Sequence, residues 1–229
     1  MLPLQGFKQN DSAFDSGLGA LMVNFPNNIF PRGAIHEFIC VGNESAAASS
    51  GFIAGILTAL MREAGAILWI GPGKEIFPPG LISFGIEPDR IIFMELYKEK
   101  EILWTMEESL KCVTLAAVVC EIRELNFMVS RRLQLAVEQS GVTGFILRRD
   151  PRQLGTTTCI SRWKITSLPS VLPGEMPGVG FPRWNVELLK IRNGKPGNWT
   201  IEWSGSRFRV IQSITATAID ENRHSRKYA

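Results

Sequence analysis

The chain has 229 residues, 45% of them apolar, and a formal charge of +3. That is long enough to bury a full core, most simply one α/β domain with appended strands, and the charge, far below what a protein held to DNA mainly by phosphate contacts usually carries, permits nucleic-acid contact without arguing for it. Cys40, Cys112, Cys120 and Cys159 form no CxxC pair and only His36 and His224 accompany them, so buried free thiols are expected and a zinc cluster lacks ligands.

No signal peptide opens the sequence and no uninterrupted apolar run reaches membrane-spanning length, which predicts a cytoplasmic protein with no membrane partner. Residues 1–30 read as an N-terminal lead-in, polar, with a short helix about Leu18 to Val23. Phe30-Pro31-Arg32-Gly33 is a turn into the region 31–165, whose first strand runs from Ile35.

That strand, a small-residue turn, and a helix with Phe52, Ile53, Ile56, Leu57 and Leu60 at helical spacing have the frame of a phosphate-binding loop. The pattern requires Gly, four residues, then Gly-Lys-Ser/Thr, because backbone N–H groups and one ammonium must surround the phosphates. Starting at Gly42 and passing through Glu44 and Ser45, the register puts Ala47 at the second Gly, Ala48 at the Lys and Ser49 at the metal-binding hydroxyl. A hydrogen bond to a charged phosphate contributes roughly 1.5–3 kcal/mol, and Ala in left-handed geometry costs about 1–2 kcal/mol. Together these weaken triphosphate binding by about two to three orders of magnitude. The stretch reads as a degenerate nucleotide site without ATPase activity and without a dedicated cofactor or metal; weak ATP and magnesium binding stays open.

Further strands are expected over Ala66–Ile70, Arg90–Met94, Leu115–Glu121 and Thr143–Leu147, with a helix from Lys98 to Cys112. Glu121, at a strand end, stands where related ATPases place the acid that steadies magnesium, and Glu75 follows the Ala66 strand. Ser130 reads as the N-cap of a helix in which Leu133, Val137 and Leu135 face inward. Arg131 and Arg132 then fall in its first turn against the helix dipole, which suggests an acidic or phosphate partner. Arg148, Arg149 and Arg152 form a basic loop after the fifth strand. Repeated strand-helix-strand units imply a parallel sheet with helices on both faces and a functional edge at the strands' carboxyl ends.

From Cys159 the texture changes to short alternating strands around a Pro- and Gly-rich loop, so 166–214 is expected to extend the sheet antiparallel. The charged 215–229 reads as a mobile tail.

The run Pro31-Arg32-Gly33-Ala34-Ile35-His36-Glu37 leading into the empty phosphate loop resembles RecA-type ATPase cores. Leu103-Trp104-x-Met106-Glu107-Glu108, Ser130-Arg131-Arg132-Leu133-Gln134-Leu135-Ala136, Gly141-Val142-Thr143-Gly144, Arg162-Trp163 and Arg192-Asn193-Gly194-Lys195-Pro196-Gly197-x-Trp199 resemble the ImuA family of bacterial mutagenesis operons, in one order over residues 30–203. The resemblance implies a degenerate RecA-like core over 31–165. It also implies an accessory role in the SOS response, mutagenesis and translesion synthesis. The implied partners are ImuB, a catalytically inactive relative of Y-family polymerases, an error-prone replicative-type polymerase, and RecA. DNA contact would be weak or indirect, with Arg131, Arg132, Arg148, Arg149 and Arg152 as candidate contacts. A SulA-like inhibitor of cell division and a weakly active ATP-dependent DNA-binding protein are the alternatives.

Overall fold

The Val-, Ile- and Leu-rich runs become strands because each is short, apolar throughout and bounded by Gly, Pro or polar residues, the pattern of strands covered on both faces. β1 (Ile35–Cys40) is buried at all of its residues. In the computed structural model of the chain, which describes residues 15–63, 65–73, 78–172 and 178–213, β1 is followed by β2 (Ala66–Gly71), β3 (Ile91–Glu95), β4 (Leu115–Ile122) and β5 (Thr143–Arg149), all parallel. β6 (Ser161–Leu168) joins β1 in parallel, and β7 (Arg183–Ile191), β8 (Gly197–Ser204) and β9 (Arg207–Ser213) continue antiparallel. One nine-stranded sheet results, in the order β3-β2-β4-β5-β1-β6-β7-β8-β9. The boundary expected at 165/166 therefore falls inside β6, which is hydrogen-bonded to the parallel half on one edge and the antiparallel half on the other.

α1 (Gly42–Glu63) covers one face, with Phe52, Ile53, Ile56 and Leu57 packed into a cluster with Phe38, Trp163, Trp184 and Phe208. The short α2 (Pro78–Ile82) packs Leu81 into the same cluster. α3 (Glu99–Ser109) and α4 (Phe127–Ser140) cover the other face, burying Ile102, Met106, Leu133 and Val137 against Ile35, Leu68 and Ile146. Close approach on the α1 side has a local cause. A Cβ on Gly55 would stand 2.4 Å from Phe208 and 2.8 Å from Trp203, so the aromatic strands β8 and β9 rest directly on the helix backbone.

Several expectations are corrected. The N-cap of α4 lies four residues earlier than expected, at Asn126 and not Ser130: the Asn126 Oδ1 accepts the Val129 N–H at 2.9 Å. Ser130 is buried inside the helix, donating to Phe127 O and accepting the Thr158 N–H. Leu135, expected inward, is 47% exposed. Cys112 is exposed, unlike the other three thiols, because it lies in the turn after α3. β3, at the sheet's edge, leaves Ile92, Phe93 and Met94 exposed. The expected tail, residues 1–14 of the lead-in and Glu75 lie outside the described residues.

Candidate functional site

The carboxyl ends of β1, β4 and β5 meet at the start of α1, where a phosphate loop would lie. No loop intervenes. Gly42, at φ 72°, turns the chain straight into α1, so the whole register from Gly42 to Ser49 is helical. Ala48 is buried and Ala47 exposed. The Ser45 hydroxyl donates to Ile165 O at 2.9 Å, tying α1 to β6. Ser49, expected at the metal position, is fully buried and accepts the Cys40 thiol at 3.4 Å. Burial pushes the Cys40 thiol up to about 11, so it stays protonated and donates. Glu44 lies exposed in the first helical turn.

The helix start, which favours negative charge, already holds one. The Gly42 N–H donates to Asp150 Oδ1 at 2.8 Å, and Asp150 adopts φ 45° to reach it while its own N–H bonds Cys40 O. Beside it Arg149 donates to Asn43 Oδ1 at 2.9 Å and to Glu121 Oε2 at 3.4 Å. The other oxygen of Glu121 accepts the Trp69 indole N–H at 3.0 Å. Burial raises the Glu121 carboxyl above its ordinary range, against the lowering effect of the Trp69 bond. Thus the carboxylate that could steady magnesium has a partner on each oxygen, and the anion position of the helix is filled by a side chain of the same protein. Among the described residues no cluster of three or more His, Cys, Asp or Glu could hold a metal ion.

The candidate arginines do not converge. Arg148 is 1% exposed and bonds Glu37 at 2.8 Å, Glu124 at 3.3 Å and Gln153 O at 2.9 Å, so it is an interior residue and not a contact surface. Arg131 and Arg132 are exposed on α4, but with the helix starting at Phe127 they lie beyond its first turn, and the conflict with the dipole disappears. Arg132 pairs with Glu107 of α3. Arg152 is exposed, its backbone N–H held by Glu124.

Sequence reasoning missed the centre of this edge. Glu37, with no exposure, receives Arg148, Arg162 Nε at 2.8 Å and the Thr157 hydroxyl at 3.0 Å. The cluster pins the segment between β5 and β6, since Arg162 also bonds Gly155 O. An acid inside the apolar run Ile35–Cys40 was its available signal. Next to it, His36 bonds Ser161 Oγ at 2.7 Å and Pro31 O at 2.8 Å and stacks between Phe30 and Phe145. Desolvation lowers this ring to about 4 despite the Pro31 bond, which raises it.

No protein-family model matches the sequence. Protein ImuA of Caulobacter vibrioides is 34% identical over 190 residues, covering 78% of each chain. The cell division inhibitor SulA of Photorhabdus laumondii is 27% identical over 120 residues, 51% of this chain and 68% of that protein. Among solved structures the RadB recombinase superposes with a TM-score of 0.59 at 13% identity, covering 87% of this chain and all of RadB. The fold is therefore that of the RecA-like recombinases, with the antiparallel strands added at its carboxyl-terminal end.

Proposed function

This chain belongs to the ImuA family, and from that premise we propose that it is a non-catalytic RecA-like accessory protein of damage-induced mutagenesis and translesion synthesis, working in the cytoplasm. Its proposed partners are an ImuB-like inactive polymerase relative, an error-prone replicative-type polymerase and RecA. The observation that carries the non-catalytic reading is the replacement of the phosphate loop by helix. Ala48 occupies the Lys position, Ser49 is bonded inside the core, and Asp150 takes the N–H at the helix start. A triphosphate brought here would meet a methyl group where it needs an ammonium, and a carboxylate already on the N–H it needs at the helix start. α1 has the length and hydropathy of a membrane span, yet 83% of that window is buried inside the fold, which supports a core role.

Titration with fluorescent ATP and a phosphate-release assay test this reading. Neither signal is expected; magnesium-dependent hydrolysis abolished by Glu121→Ala overturns it. For the docking role, the exposed Arg131 and Arg152 are the side chains to change. Loss of polymerase-relative co-purification in Arg131→Glu/Arg152→Glu supports those surfaces, and unchanged capture removes them.

The SulA match over half the chain favours a second reading, inhibition of cell division. Filamentous cells on overexpression, with purified protein blocking polymerisation of the division ring, would move the assignment there.

A further inference from the structure

Strands β6–β9 are sided. Every aromatic residue on them, Trp163, Trp184, Trp199, Trp203 and Phe208, points to the α1 side and is buried. The opposite face carries polar rows that run across the strands. Lys164 stands opposite Glu187, Arg183 opposite Glu202, which in turn is opposite Arg209, and Ser204 is opposite Arg207. Lys190 stands opposite Arg162, whose guanidinium is held by Glu37, and the Lys190 Nζ donates to Thr157 O at 3.2 Å.

This region holds the molecule's positive charge. Residues 158–213 contain eight Lys or Arg and three Asp or Glu, a net +5 in a chain whose total is +3, with Arg162 of these eight paired to the buried Glu37. Its two described acids have basic neighbours: Glu187 lies 3.4 Å from Lys164 Nζ and Glu202 lies 3.9 Å from Arg183 Nε. Arg207 and Arg209 are exposed on the edge strand.

We propose that this face binds the sugar-phosphate backbone of nucleic acid without reading its bases. Charge complementarity calls for a polyanion, and the surface chemistry selects which one. A protein partner needs an apolar or aromatic anchor at the centre of its interface. On the strands themselves the most exposed apolar groups, Leu189 and Ile211, are residues left unmatched at bulges, and the exposed Val179 and Phe181 lie in the segment before β7. Interfaces with DNA are more polar and more positive, and the exposed guanidiniums of Arg207 and Arg209 supply phosphate donors. With the aromatics of β6–β9 turned inward, these strands offer no platform on which unpaired bases could stack, so duplex is bound at least as well as single strand. The site differs from the carboxyl-edge arginines and does not depend on the docking role.

Fluorescence anisotropy of the full chain with two labelled duplexes of unrelated sequence and one single strand, over a salt series, tests the proposal. Equal affinity for both duplexes is expected, falling linearly with salt on logarithmic axes. Arg207→Gln/Arg209→Gln lowers that slope by nearly two, at about 0.9 per phosphate contact. Lys164→Gln/Lys190→Gln weakens binding through a separate pair of strands, while Lys98→Gln/Lys100→Gln, exposed at the start of α3, leaves it unchanged. A slope near zero, a slope unaffected by either pair of sheet variants, or a marked sequence preference overturns the assignment. Binding of poly-glutamate with no binding of DNA does so too, and gives the face to an acidic protein. Capture of the polymerase relative by the same variants reports separately on docking.

Discussion

With its carboxylate out of solvent, Glu37 ties Arg148 and Arg162 into one cluster, and removing it leaves two guanidiniums short of their counter-charge. Breaking a buried pair from one side costs about 3–5 kcal/mol, so Glu37→Ala should lose that much in urea unfolding, and Arg148→Met should cost less if Glu37 keeps Arg162. The neighbouring His36 ring has a folded pKa of about 4 against an ordinary 6.5. Between those values the unfolded chain takes up a proton that the folded chain refuses. The contribution is therefore intact above pH 6.5 and is lost as pH falls towards 4, a separation worth roughly 3 kcal/mol at 1.36 kcal/mol per pH unit. Unfolding free energies measured across that window should fall steeply for the wild type and more gently for His36→Gln. At this scale the sequence was legible for what is missing and illegible for what replaces it. Ala48 could be read from its position alone. Asp150 could not be read as the replacement anion, because its partner Gly42 lies 108 positions away.

Among the elements, the helices teach most. Asn126 and Ser130 are both good capping residues, and the sequence alone offers no means of choosing between them. The choice is made by packing, which buries Ser130 and sets its hydroxyl oxygen to accept the Thr158 N–H. Asn126→Ala should cost about 0.5–2 kcal/mol, whereas Arg131→Ala, with no dipole conflict to relieve, should leave thermal stability essentially unchanged. Gly55 is a second test. Alanine raises helix propensity there by about 1 kcal/mol but drives a methyl into Phe208 and Trp203. Overpacking costs typically 1–3 kcal/mol, so the net expectation is a lower melting temperature, by roughly 2–4 °C for each kcal/mol lost. Strand positions were legible from apolar runs and their punctuation. That β3 is an edge was not, since its run Ile91–Met94 has the same composition as a covered strand.

For the whole molecule, the single sheet means that the antiparallel strands are not a detachable module. Phe52 of α1 packs on Trp163, Trp184 and Phe208, and a chain cut after residue 165 would expose that aromatic cluster and half of β6. Such a fragment should be insoluble or molten by near-UV circular dichroism; a cooperatively unfolding fragment would refute the shared core. The parallel core was legible because strand-helix-strand spacing permits few topologies. The direction and pairing of the last strands were legible from the Asn193–Gly197 turn, but their charge distribution across one face emerges only when the register is known.

The central place of β1 also has a consequence for biogenesis. Its two neighbours are β5 and β6, more than a hundred residues downstream. At about 5–20 residues per second, this greasy segment leaves the ribosome roughly 5–20 s before either flank exists. Ribosome-associated chaperones are the natural guardians of that interval, and renaturation from urea should be sluggish and increasingly lossy as protein concentration rises.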